Sequence, residues 1–233
     1  MSKKKTILIT GTSKGIGKYL VDYYLSKGMI VFGCSRSKNK FKNKNYHHFT
    51  VDVSSEKSVK NMFLELKKNT PSLDILVNNA GLASMNHFLL TPKSKAQEII
   101  DTNFIGTFLV SREASKMMKR NKYGRIINLT SIGTQIKLKG EAIYTASKAA
   151  VENLTVVMSR ELASDNITVN AVGPTPTETD LIKFVPKDKI NNIINELAFD
   201  RLTKMSDISN VTDFFISNQS DYVTGQFIFL GGA

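Results

Sequence analysis

Tyr144 and Lys148 stand four residues apart in the run Tyr144-Thr145-Ala146-Ser147-Lys148. That spacing puts a phenol and an ammonium on one face of a helix. The spacing alone decides little. In a lysine-rich chain with 7 tyrosines, roughly one such pair arises by chance, and Tyr23 and Lys27 repeat it. Tyr23 falls on the apolar stripe of a helix near the N-terminus, so that pair reads as core and surface. What sets Tyr144 apart is Ser131, which precedes it by 13 residues at the carboxyl end of an apolar run. Ligands of open parallel sheets bind at such strand ends. Asn78-Asn79-Ala80-Gly81 and Asn103 complete the polar set.

A second constellation lies at the other end of the chain, in Thr10-Gly11-Thr12-Ser13-Lys14-Gly15-Ile16-Gly17. It sits between an apolar run and a helical pattern. A phosphate-binding turn needs glycines there for tight backbone angles, close approach of a pyrophosphate and close helix–strand packing. The helix that follows offers free N–H groups and a partial positive charge to the anion. An NAD site usually carries an acidic residue at the end of the next strand, bound to the ribose 2′-hydroxyl. Here that strand ends Gly33-Cys34-Ser35-Arg36-Ser37, with a guanidinium and no carboxylate. Lys14 adds a second cation, so NADP(H) is expected and NAD(H) fits less well. Asp52 and Val53 are placed to contact the adenine edge.

The elements that must position these residues alternate along the chain. Thr6–Thr10, Met29–Cys34, His48–Val51, Leu73–Val77, Arg125–Thr130, Thr168–Val172 and Phe227–Leu230 read as short buried strands. Helical patterns cover Gly15–Lys27, Ser55–Leu66 capped by Ser54 or Ser55, Ala96–Lys119 as one long helix, Ala142–Ala163 and Ile190–Leu197, with Ser206 capping a last helix. Alternation of this kind specifies an α/β, Rossmann-like doubly wound fold of about seven parallel strands with helices on both faces. The 233 residues form a single expected domain. Its cofactor half spans about 1–130 and its catalytic and substrate half about 131–233, with a lid at 177–199.

Taken together, the glycine turn, Asn78–Gly81, Asn103, Ser131, Tyr144 and Lys148 resemble the short-chain dehydrogenase/reductase family. So do Asn170-Ala171-Val172-Gly173-Pro174 and Tyr222-Val223-Thr224-Gly225-Gln226. The resemblance runs in order over nearly the whole chain and is nearest to 3-oxoacyl-[acyl-carrier-protein] reductases and their relatives. It implies interconversion of a carbonyl and a secondary alcohol by hydride transfer from NADP(H). Tyr144 would be the proton donor, its pKa lowered from near 10 by the Lys148 ammonium. Ser131 would hold the carbonyl oxygen, Lys148 the nicotinamide ribose, and Asn103 a relaying water. Asn79, Ala80, Gly81, Pro174, Thr175 and Thr179 would complete the cofactor contacts. Departures are Thr175-Pro176 after Pro174, where the family often has glycine, and the ending Gly231-Gly232-Ala233.

Composition narrows the partners. The net charge of +12 comes from lysines spread along the chain rather than gathered on one stretch, which speaks for solvated surface and against a nucleic-acid binder. No stretch approaches the roughly 18 apolar residues of a membrane span. A single cysteine, Cys34, fits a reducing compartment, so a cytoplasmic protein is expected. His47, His48 and His87 lack metal-ligand spacing, and no metal is expected. Gln135, Ile136, Leu181 and Phe184 are candidates for the substrate pocket, and Lys137, Lys139, Lys183, Lys187 and Lys189 suggest an amphiphilic or anionic substrate. Lys119, Arg120 and Lys122 would receive a carrier protein, although Asp165 occupies a turn where carrier-protein reductases often place a basic residue. A sugar or sugar acid of surface-polysaccharide synthesis is the alternative substrate, and a non-catalytic NADP-binding or nucleic-acid-binding regulator the third possibility. The two long helices imply a homotetramer through the family resemblance.

Overall fold

Short apolar runs bounded by turn residues become strands, and burial on both faces is what lets such runs lie in a parallel sheet. The structure, a computed structural model, describes residues 4–177 and 187–232. Seven strands, β1 (Thr6–Thr10), β2 (Ile30–Ser35), β3 (Tyr46–Thr50), β4 (Ile75–Asn78), β5 (Gly124–Leu129), β6 (Ile167–Gly173) and β7 (Phe227–Phe229), pair in parallel in the order β3-β2-β1-β4-β5-β6-β7. The helices are α1 (Gly15–Ser26), α2 (Glu56–Asn69), α3 (Lys93–Ile100), α4 (Gly106–Asn121), the short α5 (Gly133–Ile136), α6 (Ala142–Glu161), α7 (Lys187–Asn195) and α8 (Met205–Ile216).

Successive strand side chains point to opposite faces, and the two faces have separate cores. Leu8, Phe32, Leu76, Ile126 and Val169 pack with Val59, Phe63 and Leu66 of α2 and Leu109 and Met117 of α4. Ile7, Ile9, Val31, Ile75 and Ile127 pack on the other side with Leu20 and Tyr24 of α1 and Ile208 and Phe215 of α8. The sheet is therefore a rigid middle layer, and everything at the carboxyl ends of its strands is held in fixed register.

Two local expectations change and one holds. The pattern from Ala96 to Lys119 is not one helix: a π-helical turn at Asp101–Ile105 separates α3 from α4. Such turns are rare and occur mostly as single-turn bulges inside α-helices. Ser206 lies inside α8, which starts at Met205; the Lys204 backbone N–H instead donates to the Asp207 carboxylate at 2.9 Å. Ser55, as expected, caps α2 by accepting from the Ser58 N–H at 3.3 Å.

Candidate active site

The turn from β1 into α1 is built by close approach. Gly11 and Gly15 have φ of +73° and +58°, conformations that favour glycine. A Cβ on Gly17 would overlap the Gly11 carbonyl and come within 2.5 Å of Asn79 Nδ2. That amide donates to the Thr10 and Gly11 carbonyls at 2.9 and 3.2 Å, while the Thr10 hydroxyl accepts from the Asn79 and Ala80 N–H groups at 3.0 and 2.9 Å. The loop after β4 is thereby tied to the loop after β1. No side chain caps the start of α1 and its first turn holds no acid, so its N–H groups remain available to an anion.

From there a cleft of about 420 Å³ runs along the carboxyl edge of the sheet. Its wall includes Gly11, Ser13, Lys14, Gly15 and Ile16 of the turn, Ser35 and Arg36 after β2, and Asp52 and Val53 after β3. Asn79, Ala80 and Gly81 follow β4, and Pro174 and Thr175 follow β6. Lys14 and Arg36 are exposed and have no ion-pair partner among the described residues. The Ser35 hydroxyl donates to the Ser37 carbonyl at 2.9 Å, and His48 Nε2 lies 3.0 Å from the same carbonyl, which fixes the Arg36 loop from behind. An uncapped helix start, two free cations and no carboxylate at the end of β2 form a donor set that fits a nicotinamide dinucleotide carrying a 2′-phosphate. Thr12 and Gly17 lie beneath this wall: Thr12 is buried and donates to the Cys34 carbonyl at 3.3 Å.

At the other end of the cleft stand Ser131, Tyr144 and Lys148. The chain reverses after β5, and Ser131 Oγ accepts from the Gly133 N–H at 3.1 Å, orienting the hydroxyl. Lys148 is buried; its Nζ donates to the Leu129 carbonyl at 2.7 Å and lies 5.9 Å from the centre of the Tyr144 ring. Burial pushes the ammonium down to about 8, against the opposing field of Glu152. Burial also pushes the Tyr144 phenol up to about 12; the Ser131 hydroxyl acts to lower it and Glu141 to raise it further. Desolvation of the phenolate is the largest of these influences in the free protein. Tyr144 is held as a protonated donor.

Asn103 is not in the cleft. It is fully buried in the π-helical turn, its Oδ1 accepting from the Leu82 N–H at 2.7 Å and its Nδ2 donating to the Leu82 carbonyl and the Ser147 hydroxyl, both at 2.9 Å. It braces the Gly81–Leu82 loop against α6. Tyr23 and Lys27 both bind Asp213 on α8, at 2.7 and 2.5 Å, and belong to the packing of α1.

Gln135 and Ile136 do not line the cleft. Lys137, with φ +54°, turns the chain so that Leu138 and Glu141 face it instead. Lys137 itself is turned back onto the Thr134 carbonyl. Thr179, Leu181, Lys183 and Phe184 lie outside the described residues, with positions 178–186 of the expected lid; from its described part Thr177 and, on α7, Ile190 and Ile193 line the cleft. Leu82, Met85, Leu138, Ile190 and Ile193 give the substrate end an apolar lining that the sequence pattern does not single out. Among the described residues no helix is long and apolar enough to cross a membrane, and no cluster of three metal-ligating side chains occurs.

Comparison with known proteins agrees with this geometry. The chain is 34% identical over 238 residues to the 3-oxoacyl-[acyl-carrier-protein] reductase FabG of Staphylococcus epidermidis, covering 98% of both. It is 30% identical to the FabG of Salmonella typhimurium, covering 98% of this chain and 96% of that one. Among solved structures it superposes on the aldohexose dehydrogenase of Thermoplasma acidophilum with a TM-score of 0.89 and 27% identity, covering 99% of this chain and 94% of that one. It also superposes on 4-hydroxyisoleucine dehydrogenase complexed with NADH, with a TM-score of 0.88 and 28% identity, covering 98% of each chain. Residues 5–190 match the model of the short chain dehydrogenase family. With that match, the parallel sheet and near-complete coverage of its relatives, this chain belongs to the short-chain dehydrogenase/reductase family and is an oxidoreductase acting on carbonyl and alcohol groups.

Proposed function

We propose that the protein reduces a ketone to a secondary alcohol with NADPH, and that its substrate is a 3-oxoacyl compound presented as a neutral ester or thioester. The observation that carries this reading is the cleft itself: two free cations at its adenosine end, Ser131 and Tyr144 at its reacting end, and an apolar wall beyond them. Bound NADPH supplies the hydride. Arg36 and Lys14 would hold the 2′-phosphate, the N-terminus of α1 the pyrophosphate, and Lys148 the nicotinamide ribose. Ser131 donates a hydrogen bond to the carbonyl oxygen, stabilising the charge that develops there. Tyr144, which carries its proton at neutral pH, delivers it to that oxygen. Asn103 acts on the site through the loop it braces.

Carrier-protein delivery is the weaker form of this reading, because Lys119 is already paired with Asp165 at 2.9 Å. The protein acts in the cytoplasm as a homotetramer, assembled through α4 and α6, which expose Phe108 and Val157. The reading is tested by following NADPH and NADH oxidation with an acetoacetyl thioester, ethyl 3-oxobutanoate and a panel of keto sugars. Turnover of the first two with NADPH, abolished in Tyr144→Phe, is the expected result. Turnover confined to sugars moves the function to glycan metabolism. Tight NADPH binding without turnover of any substrate favours a regulator.

A further inference from the structure

Glu141 is the one charged side chain besides Lys148 at the substrate end of the cleft among the described residues. Its Oε2 and the Ser131 Oγ each lie 3.3 Å from the point where a Cβ on Gly133 would sit, so no more than twice that separates them. The backbone around it is fixed. Glu141 N–H donates to Leu138 O at 3.3 Å, and Glu141 O accepts from the Thr145 N–H at 2.8 Å and from the Thr145 hydroxyl at 2.9 Å. Gly140 is held to the Asn86 N–H at 2.9 Å.

The carboxylate differs from the other shielded acids of this protein. Asp213 is met by Tyr23, Tyr24 and Lys27, Glu113 by Arg112 and Lys116, and Glu152 by the Thr130 hydroxyl. Glu141 stands at the start of α6 without capping it, and no donor or cation among the described residues pairs with it. Burial raises its pKa, and its field reaches the Tyr144 phenol. A half-buried acid left without a partner is costly unless it meets a donor or stays far from other negative charge.

We propose that Glu141 is a specificity-determining residue that admits neutral or donor-bearing groups beside the reacting carbonyl and rejects a carboxylate there. This rests on the reductase reading above for the position of the carbonyl, between Ser131 and Tyr144. An ester or thioester two carbons from that carbonyl brings no charge toward Glu141, whereas the free 3-oxo acid brings a second carboxylate into a cleft whose walls are largely apolar. Like charges in such a setting repel strongly. The site therefore takes activated acyl compounds and passes over their hydrolysed forms, a preference opposite to that suggested by the lysines of the sequence.

The test compares ethyl 3-oxobutanoate with 3-oxobutanoate, using wild type, Glu141→Gln and Glu141→Lys with NADPH. In Glu141→Gln the ester-to-acid ratio of kcat/KM is expected to fall at least about tenfold, equivalent to about 1.4 kcal/mol. The change should lie mainly in KM for the acid; Glu141→Lys should move the ratio further. An unchanged ratio, or equal losses on both substrates, overturns the proposal. Binding of the two compounds to the NADPH complex of Tyr144→Phe, with and without Glu141→Gln, is measured by calorimetry. If nothing is turned over, the reductase reading fails, while a tenfold change in relative affinity still upholds the filter. Binding of neither compound, or equal relative affinity with and without Glu141, overturns it.

Discussion

Replacing Gly17 by alanine adds one methyl group, and the structure says where it goes. The new Cβ meets the Gly11 carbonyl and stands 2.5 Å from Asn79 Nδ2. The first obstacle is backbone, so the strain cannot be relieved by turning a flexible side chain. Overpacking of this kind costs about 1–3 kcal/mol. Moving Asn79 also loosens its two bonds to Thr10 and Gly11, each worth about 1 kcal/mol. A loss of about 3 kcal/mol, at roughly 2–4 °C per kcal/mol for a domain of this size, lowers Tm by about 6–12 °C. The displaced strand-to-helix turn also presents the α1 N–H groups poorly to the pyrophosphate. NADPH affinity should then fall at least about tenfold, removing about 1.4 kcal/mol of the stabilisation that saturating ligand provides. Thermal unfolding with and without NADPH measures both effects. A Tm within about 2 °C of wild type, with an unchanged NADPH-induced shift, would refute the claim that Gly17 is required by close approach.

Tyr144→Phe should retain NADPH binding and lose about 10²- to 10⁴-fold in turnover; steady-state kinetics beside NADPH fluorescence titration separates the two. Arg36→Glu should weaken NADPH by at least about tenfold, since a charge-assisted contact is replaced by repulsion, while leaving NADH nearly unaffected. Equal effects on both cofactors would place the 2′-phosphate elsewhere. The pH profile follows from burial. Tyr144, pushed up to about 12, keeps its proton across the working range, whereas Lys148, pushed down to about 8, loses its charge above that pH. Reduction measured as kcat/KM from pH 6 to 10 should therefore be level at low pH and decline above about 8. A profile rising through that interval would contradict the assignment of Lys148 as a cation acting beside the ribose.

The amino-acid sequence by itself determined the layered fold and the strand–glycine–helix turn at which the cofactor is proposed to bind. Alternating apolar runs and helical patterns leave few topologies. Gly11, Gly15 and Gly17 between a strand and a helix have few other physical uses. The absence of a carboxylate in Ser35-Arg36-Ser37 is likewise a matter of chemical type that needs no coordinates. Tyr144 and Tyr23 were separable only through Ser131, and the tertiary structure supplies the reason: Tyr23 meets Asp213 on the far side of the sheet.

What the tertiary structure decided depends on contacts between residues distant in sequence. The sign of the Tyr144 shift is set by burial in the folded chain, which no local spacing encodes. Asn103, in the π-helical turn, is buried with its amide bound to Leu82 and Ser147, partners 21 and 44 residues away in sequence. The substrate end was misjudged from Gln135 and Ile136 because a single left-handed residue, Lys137, rotates the following chain. That turn brings Leu138 and Glu141 into the cleft in their place, and among the described residues no ion pair meets Glu141 there.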